Sequence, residues 1–549
     1  MGRPCRWEGG GAGRAITGWL LLGSAVMVTQ AVAVWPAAAQ DTPSLSVASD
    51  TVLAWGQNNQ GELGDGTTAN RTTPVAVNLP AGTTITAISA VGDFSLAFTS
   101  TGGVLAWGAN SSGQLGDGTT TNRTTPVAVS LPVGAEVIAI AAGDDHCLAL
   151  TSTGGVLAWG QNDQGELGDG TMIDRTTPVA VSLPVGAEVI AIAGGNNHSL
   201  ALTSTGTILA WGSNFGGQLG DGTIIDRSTP VNVNLPAGVT ITAIAAHGDH
   251  SLALTSTGAV LAWGDNSSGQ LGDGTTTNRT TPVAVSLPVG AEVTAIAGGS
   301  DHSLALTSTG GVLAWGQNDQ GELGDGTMID RTTPVAVSLP TGVTITAITG
   351  GNNHSLAVTS TGTVLAWGAN FDGHLGDGTT TNRSTPVNVN LPPATAITAV
   401  AAGDAHSLAL TAPPTSTTTL QVTPVNPTAD QDITLTATVT CNVDTPTGTI
   451  TFHTNTTTLA TVPLTTSATH TTTLPTGTHT LTAHYTSTNT CPDSQSPPTT
   501  ITIAPPLDER DLPITGPNMT TTTGAAALSI LAGVVLSYAA RRRPPHRAA

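Results

Sequence analysis

The chain has 549 residues, of which only 9% are charged; its 36 acidic residues face 15 arginines and no lysine, for a formal net charge of −21. The length allows several domains. The acidic balance excludes nucleic-acid binding, which needs clustered basic side chains to release counterions, and the missing lysine excludes Schiff-base catalysis and Lys–Asn isopeptide cross-links.

At the start of the chain, Arg3, Arg6 and Arg14 precede an apolar run from Ile16 to Trp35, and Ala37, Ala38 and Ala39 supply small side chains for signal peptidase. Residues 1–39 are therefore expected to be an export signal cleaved between Ala39 and Gln40. A membrane anchor fits less well, because polar sequence begins at once. A mature chain from Gln40 to Thr515 keeps 35 acidic residues and eight arginines, about −27, which suits solubility outside a cell.

Next, seven tryptophans recur every 52 residues from Trp55 to Trp367 without insertion or deletion, each in a pentapeptide such as Val52-Leu-Ala-Trp-Gly56. A fixed period of this length marks a repeat architecture. Within the second copy, residues 104–108 read as strand one and 110–124 as a Gly/Asn/Asp/Thr loop. Residues 126–130 alternate as strand two, 136–142 form strand three, Gly143-Asp-Asp145 turns, and 146–150 form strand four. One such sheet cannot bury both faces alone; seven arranged radially can. The fold class is all-β, a seven-bladed β-propeller over about residues 48–411.

Trp107-Gly-Ala-Asn-Ser-Ser-Gly-Gln-Leu-Gly-Asp-Gly-Thr119 and Gly143-Asp-Asp-His-Cys-Leu-Ala-Leu150 resemble the regulator of chromosome condensation repeat, and all seven units share the likeness. The resemblance implies that strand four and the following strand lie in one blade. Residues 52–56 would then pair with 407–410 and clasp the ring, with Leu45-Ser-Val47 as a competitor for that edge.

In an up-and-down sheet the long loop and the Gly-Asp-Asp turn share one face, and the Thr-Ser-Thr-Gly and Leu-Pro-Val-Gly turns the other. Differences between copies cluster on the first face, which is the candidate for binding a protein or glycan ligand. Its candidate contacts are Asn58, Asn59, Asn162, Asp163, Phe215, Asn318, Asp319 and Phe371; the phenylalanines stand out because buried aromatics dominate hot spots. Residues 161–182 recur unchanged as 317–338, so three blades were duplicated as a block. That symmetry works against a single catalytic centre, and no hydrolase, zinc or phosphate-loop motif occurs. We expect no catalytic residue, metal or cofactor. Six histidines open strand four, with Phe94 in the first unit; they could ring a metal, but they are expected to be structural imidazoles bonded to backbone between blades, with phenylalanine substituting freely. Asp65 and Arg71, repeated through Asp377 and Arg383, read as a loop staple, and Cys147 as a buried, inert thiol.

After a linker at 412–417, alternating threonine-rich strands such as 433–441 and 477–485 read as a β-sandwich over 418–504. The stretches from Pro446 to Phe452 and from Leu474 to Tyr485 resemble bacterial Ig-like repeats of surface proteins, a stalk. Cys441 and Cys491 are a plausible disulfide, since an exported protein can keep one.

At the end, Leu512-Pro-Ile-Thr-Gly516, the apolar stretch 525–540 and Arg541, Arg542 and Arg543 follow in order. Sixteen residues span roughly 24 Å as helix, marginal for a bilayer of about 30 Å. The set resembles the LPXTG cell-wall sorting signal of Gram-positive surface proteins, over 512–549. The resemblance implies that Leu512 and Pro513 are read by sortase and that cleavage between Thr515 and Gly516 joins the Thr515 carboxyl to peptidoglycan, the membrane being held only transiently. The resulting expectation is a secreted, wall-attached, non-catalytic adhesion protein. Alternatives are a secreted propeller resembling β-lactamase inhibitors of this repeat family, which use a loop face rich in aromatics, or, further off, guanine-nucleotide exchange, the family's namesake activity.

Overall fold

The structure, a computed structural model, describes residues 51–505 apart from Val443, Asp444, Thr456 and Thr490. The features expected at Ala39 and Gln40, at Leu45 to Val47, at Leu512, Pro513, Thr515 and Gly516, and in the apolar stretch 525–540 lie outside the described residues.

Each 52-residue repeat supplies four short antiparallel strands, as in Val104–Gly108, Arg123–Ala128, Val137–Ala142 and His146–Thr151. The blades straddle the repeats: Ile85–Val91, Phe94–Thr99, Val104–Gly108 and Arg123–Ala128 form one sheet in that order. Seven such four-stranded sheets occur, and the third strand of each repeat touches third strands on both sides, so these strands are the inner wall of the ring. Strand two begins and ends earlier than the alternation suggests, at Arg123 and Ala128. A bulge between Ala106 and Gly108 pairs Gly108 with Arg123, and the salt bridge from Arg123 to Asp117 fixes that end.

The ring closes between the two ends of the repeat array. Val52–Gly56 pairs with His406–Thr411 in register from Val52 with Leu410 to Gly56 with His406, and with Arg71–Ala76 on its other side. One blade is therefore built from both ends of the array, as the family resemblance implies.

All seven tryptophans are fully buried between blades. Trp107, for example, shares a cluster with Val52, Leu63 and Leu408 of the preceding blade. Burying a large apolar side chain contributes about 1.5–3 kcal/mol, so the interfaces carry much of the stability of sheets that are too thin to have cores of their own. The indole nitrogens are satisfied too: Trp107 Nε1 donates to the Glu62 carbonyl at 2.8 Å, and each other tryptophan makes the equivalent bond. This contact explains one glycine of the repeat. Gly116 has φ +62°, and a Cβ there would lie 2.7 Å from Trp159 Nε1.

After the propeller, Ser416–Thr423, Ile433–Cys441 and Ala468–Thr472 form one sheet. Thr457–Leu464, Gly448–Thr454, Gly477–Ser487 and Ser494–Gln495 form the other, with Thr499–Ile503 also on Gly477–Ser487. Alternation puts Ile433, Leu435, Ala437, Ile450, Phe452, Leu481 and Tyr485 into one core and the threonines outward. Cys441 and Cys491 are disulfide-bonded, Cα to Cα 5.9 Å.

Candidate functional site

The long loop after each tryptophan is organised by one asparagine. Asn58 Oδ1 accepts from the Leu63 amide, and its Nδ2 donates to Asp65 Oδ1 and to the Thr67 and Ala69 carbonyls. Asp65 Oδ1 also accepts from the Thr67 amide and hydroxyl, and Asp65 Oδ2 takes both Nε and Nη2 of Arg71. Burial would raise the Asp65 carboxyl, but the Thr67 and Arg71 hydrogen bonds outweigh it and hold it below the usual range. The same unit recurs in all seven loops, with Arg–Asp distances of 2.5–2.8 Å. The Asp–Arg staple is therefore present as expected. Asn58, Asn162 and Asn318, however, are completely buried and cannot touch a ligand; they vary little because the loop is built on their amides. Their neighbours Asn59, Asp163 and Asp319 are exposed, as are Phe215 (61%) and Phe371 (65%).

Six apolar side chains on these loops are absent from the expected contacts. Met172, Ile173, Ile224, Ile225, Met328 and Ile329 are 55–64% exposed. The sequence held a signal for them: Gly-Thr-Met-Ile-Asp and Gly-Thr-Ile-Ile-Asp stand where the other loops read Gly-Thr-Thr-Thr-Asn or, in the first, Gly-Thr-Thr-Ala-Asn, apolar residues where nothing in the loop needs them.

The histidines are structural, but their partner is a side chain rather than backbone. His146 Nε2 lies 2.8 Å from Ser199 Oγ of the next blade, and Ser199 Oγ donates to the Glu166 carbonyl, which also accepts from Trp211 Nε1. Because the serine donates onward, Nε2 must carry the proton. Six His–Ser pairs follow this pattern around the ring. In the seventh, Phe94 replaces histidine and Cys147 replaces serine, and both sit in one apolar cluster. Phenylalanine therefore does not substitute freely; its partner has changed with it. Cys147 is buried, its Sγ 3.2 Å from the Gln114 carbonyl, and burial pushes the thiol well up, in keeping with an inert residue. Phe94→His alone should cost about 1–3 kcal/mol by leaving an imidazole poorly paired, and Phe94→His with Cys147→Ser should recover at least half. A double-mutant cycle in guanidinium unfolding reads this directly; additive effects would contradict the pairing.

At the inner rim of this face, the turns between strands three and four are joined around the channel by backbone bonds. Asp144 N reaches Asn196 O at 3.3 Å, Asn196 N reaches Gly248 O at 2.9 Å, and Asp404 N reaches Gly92 O at 2.9 Å. The rim is acidic. Burial and then Asp404, Asp145 and Asp93 push the Asp144 carboxyl up to about 8, and burial with Asp93 and Asp145 pushes Asp404 to about 7. Just outside, an acid meets an amide in most blades: Gln114 Nε2 donates to Asp145, Gln218 to Asp249 and Gln270 to Asp301, whereas Glu166 and Glu322 stand where the turn carries Asn197 and Asn353. In the first repeat Gln57 Nε2 bridges Glu62 and Asp93. Among the described residues no three His, Cys, Asp or Glu side chains are placed to hold a metal ion.

Comparison with known proteins adds the ancestry. The family model described as the RCC1-like domain matches residues 51–409, and that of the bacterial Ig-like domain (group 3) matches 420–504. The chain is 32% identical over 341 residues to the ultraviolet-B receptor UVR8 of Arabidopsis thaliana, covering 62% of this chain and 78% of that protein. It is 33% identical over 367 residues to the human E3 ubiquitin-protein ligase HERC2, but spans only 8% of that protein's length against 66% of its own. The crystal structure of Prp20p from Saccharomyces cerevisiae, reported with its binding to Gsp1p and histones, is similar at TM-score 0.59 and 26% identity, covering 67% of this chain and 93% of that one.

Proposed function

The chain belongs to the RCC1-like domain family through its propeller and carries a bacterial Ig-like domain behind it, and from that premise we propose a non-catalytic binding protein of the bacterial cell wall. In this reading residues 1–39 direct export, sortase joins Thr515 to peptidoglycan, the Ig-like domain is the spacer, and the loop-rich propeller face holds a protein ligand. One observation carries the binding role. The recurring polar groups, the Asn–Asp–Arg unit in all seven loops and the His–Ser–Trp relay at six of the seven blade interfaces, are consumed by the fold, while Phe215, Phe371 and the Met/Ile pairs are left exposed on the same face. The opposite face exposes only single valines on its turns (Val133, Val185 and Val289), so the larger and more numerous apolar side chains favour the loop-rich face as the interaction surface. Prp20p, a relative, is a binding protein for other proteins, and that is the coarse property carried over here.

The test immobilises the full-length protein and measures its affinity for purified host matrix proteins, wall fragments and β-lactamases by surface plasmon resonance. Phe215→Ser with Phe371→Ser should weaken the ligand found by at least about tenfold, or ~1.4 kcal/mol, and Val133→Ser on the opposite face should leave it unchanged. The reverse pattern would reject the face assignment, and nanomolar binding of a β-lactamase would replace adhesion by inhibition. Thr515→Ala should shift the protein from the wall fraction to membrane or medium; unchanged wall attachment would reject the anchor.

A further inference from the structure

The loop-rich face is nearly symmetric, and its polar pairing is lost on both sides at one place, the ring join. In six repeats the residue before strand four is Asp93, Asp145, Asn197, Asp249, Asp301 or Asn353, and the loop residue facing it is a glutamate or glutamine. In the last repeat both are replaced: Ala405 has only a methyl group, and His374 stands where the glutamate or glutamine would be. The side chains that bridge this gap in three other repeats, Gln114 to Asp145 at 2.6 Å, Gln218 to Asp249 at 3.2 Å and Gln270 to Asp301 at 3.1 Å, have no counterpart. The space left is a cleft of about 260 Å³ at the ring join, with Gln57 from one end of the array and Asp404 and Ala405 from the other.

Its lining is chemically one-sided. Asp93, Asp372 and Asp404 supply three carboxyl groups, and no arginine lines the cleft. The seven propeller arginines are already forked onto the loop aspartates. His374 is 3% exposed; the Ala369 carbonyl lies towards one ring nitrogen, and the other is buried without a hydrogen-bond partner. Burial holds its imidazole neutral, with its pKa down at about 4; its ring lies 4.8 Å from that of His354. A buried neutral imidazole with an idle acceptor nitrogen is costly unless something donates to it. At the rim Phe371 is exposed.

We propose that this cleft is a socket for one arginine side chain of the protein ligand, the guanidinium lying among Asp93, Asp372 and Asp404, donating to His374 and covered by Phe371. A guanidinium matches the lining better than other cations. Its five donors form a fork suited to carboxylates, and its planar face stacks on an aromatic ring. The volume suits it as well, since the cleft is below the 300–1,000 Å³ of sites for drug-sized molecules. The inference deepens the protein-binding reading of this face and rests on it.

Isothermal titration calorimetry on the full-length protein tests the socket with acetyl-Gly-Gly-X-Gly-Gly-amide peptides in which X is arginine, citrulline or glutamate. The arginine peptide should bind with a dissociation constant of about 1 mM or better, citrulline at least tenfold more weakly, and glutamate not at all. Asp404→Asn should weaken arginine binding about tenfold, and Ala405→Val, which fills the gap without adding charge, should remove it, with the tryptophan circular dichroism unchanged. Equal binding of arginine and citrulline, binding that survives Ala405→Val, or no heat at 10 mM peptide would overturn the proposal. If a protein ligand is then lost on Phe215→Ser but kept on Ala405→Val, the socket fails while the binding face stands; if both variants keep it, the face itself is wrong.

Discussion

Lowering the pH from 6.5 to 4.5 should unfold the propeller. Eight propeller histidines are fully or almost fully buried, and burial drives their pKa values down to about 3–4, or for His354 well below the ordinary value. A group with a depressed basic pKa in the fold binds its proton only when unfolded, so its contribution is complete above the ordinary value near 6.5 and is lost as pH falls below it. Protonation in place would put a charge on an imidazole whose Nδ1 is buried without a partner, as in His198, His250, His302, His354 and His406. One pH unit below its ordinary value each histidine costs about 1.4 kcal/mol, and several at once reach the ~5–15 kcal/mol that is the net stability of a typical domain. The acidic rim acts in the opposite sense. Asp144 at about 8 and Asp404 at about 7 hold their protons longer in the fold. Their contribution is greatest at low pH and disappears as pH rises through those values. Stability should therefore peak near pH 7, fall gently towards pH 8.5 and steeply below pH 6.5. Every tryptophan among the described residues lies in the propeller, so the tryptophan bands of the near-ultraviolet circular dichroism report it apart from Tyr485 and the disulfide of the Ig-like domain. An unchanged signal down to pH 4 would contradict the linkage.

Ala54→Pro should open the ring. Ala54 lies in the strand that closes the last blade, paired with Leu408 on one side and Val75 on the other. Proline in a central strand removes a ladder hydrogen bond and distorts its neighbours, which is why it is confined to edge strands and bulges. Ala210 holds the same place in a blade whose pairing strand is joined to it by a short turn, so Ala210→Pro leaves the strand tethered at high local concentration. At the join the only connection runs through the other six blades. Ala54→Pro should expand the hydrodynamic radius and expose Trp55 to acrylamide quenching, whereas Ala210→Pro should lower the melting temperature of a ring that stays closed. Equal radii for the two variants would show that the clasp is not the weak point.

The architecture was legible in the sequence because its determinants are periodic. Trp, Leu and Gly return every 52 residues, and a side chain that recurs at one place in every unit reads as packing. The pairing of residues 52–56 with the end of the array came from the family resemblance, and the bulge at Gly108 that starts strand two at Arg123 left no trace in the alternation. The site was legible only in part. Phe215, Phe371, Asn59, Asp163 and Asp319 are exposed on the loop-rich face, whereas Asn58, Asn162 and Asn318 are interior scaffolding, because a polar residue in a polar loop gives no sign of which way it points. The Phe94 and Cys147 exchange and the Ala405 and His374 gap were invisible for a different reason. Each couples residues of adjacent blades or of separate loops, and the meaning of either substitution appears only beside its partner.

The strand at Val52–Gly56 is the first of the array to be synthesised, and its partner at His406–Thr411 is the last. A ribosome that stalls or a message cut short yields a molecule with two half-finished blades, however well its middle has folded. The join is thus a test of completeness written into the topology. The cleft beside it, with Gln57 from the beginning and Asp404 from the end, exists only in molecules that have passed.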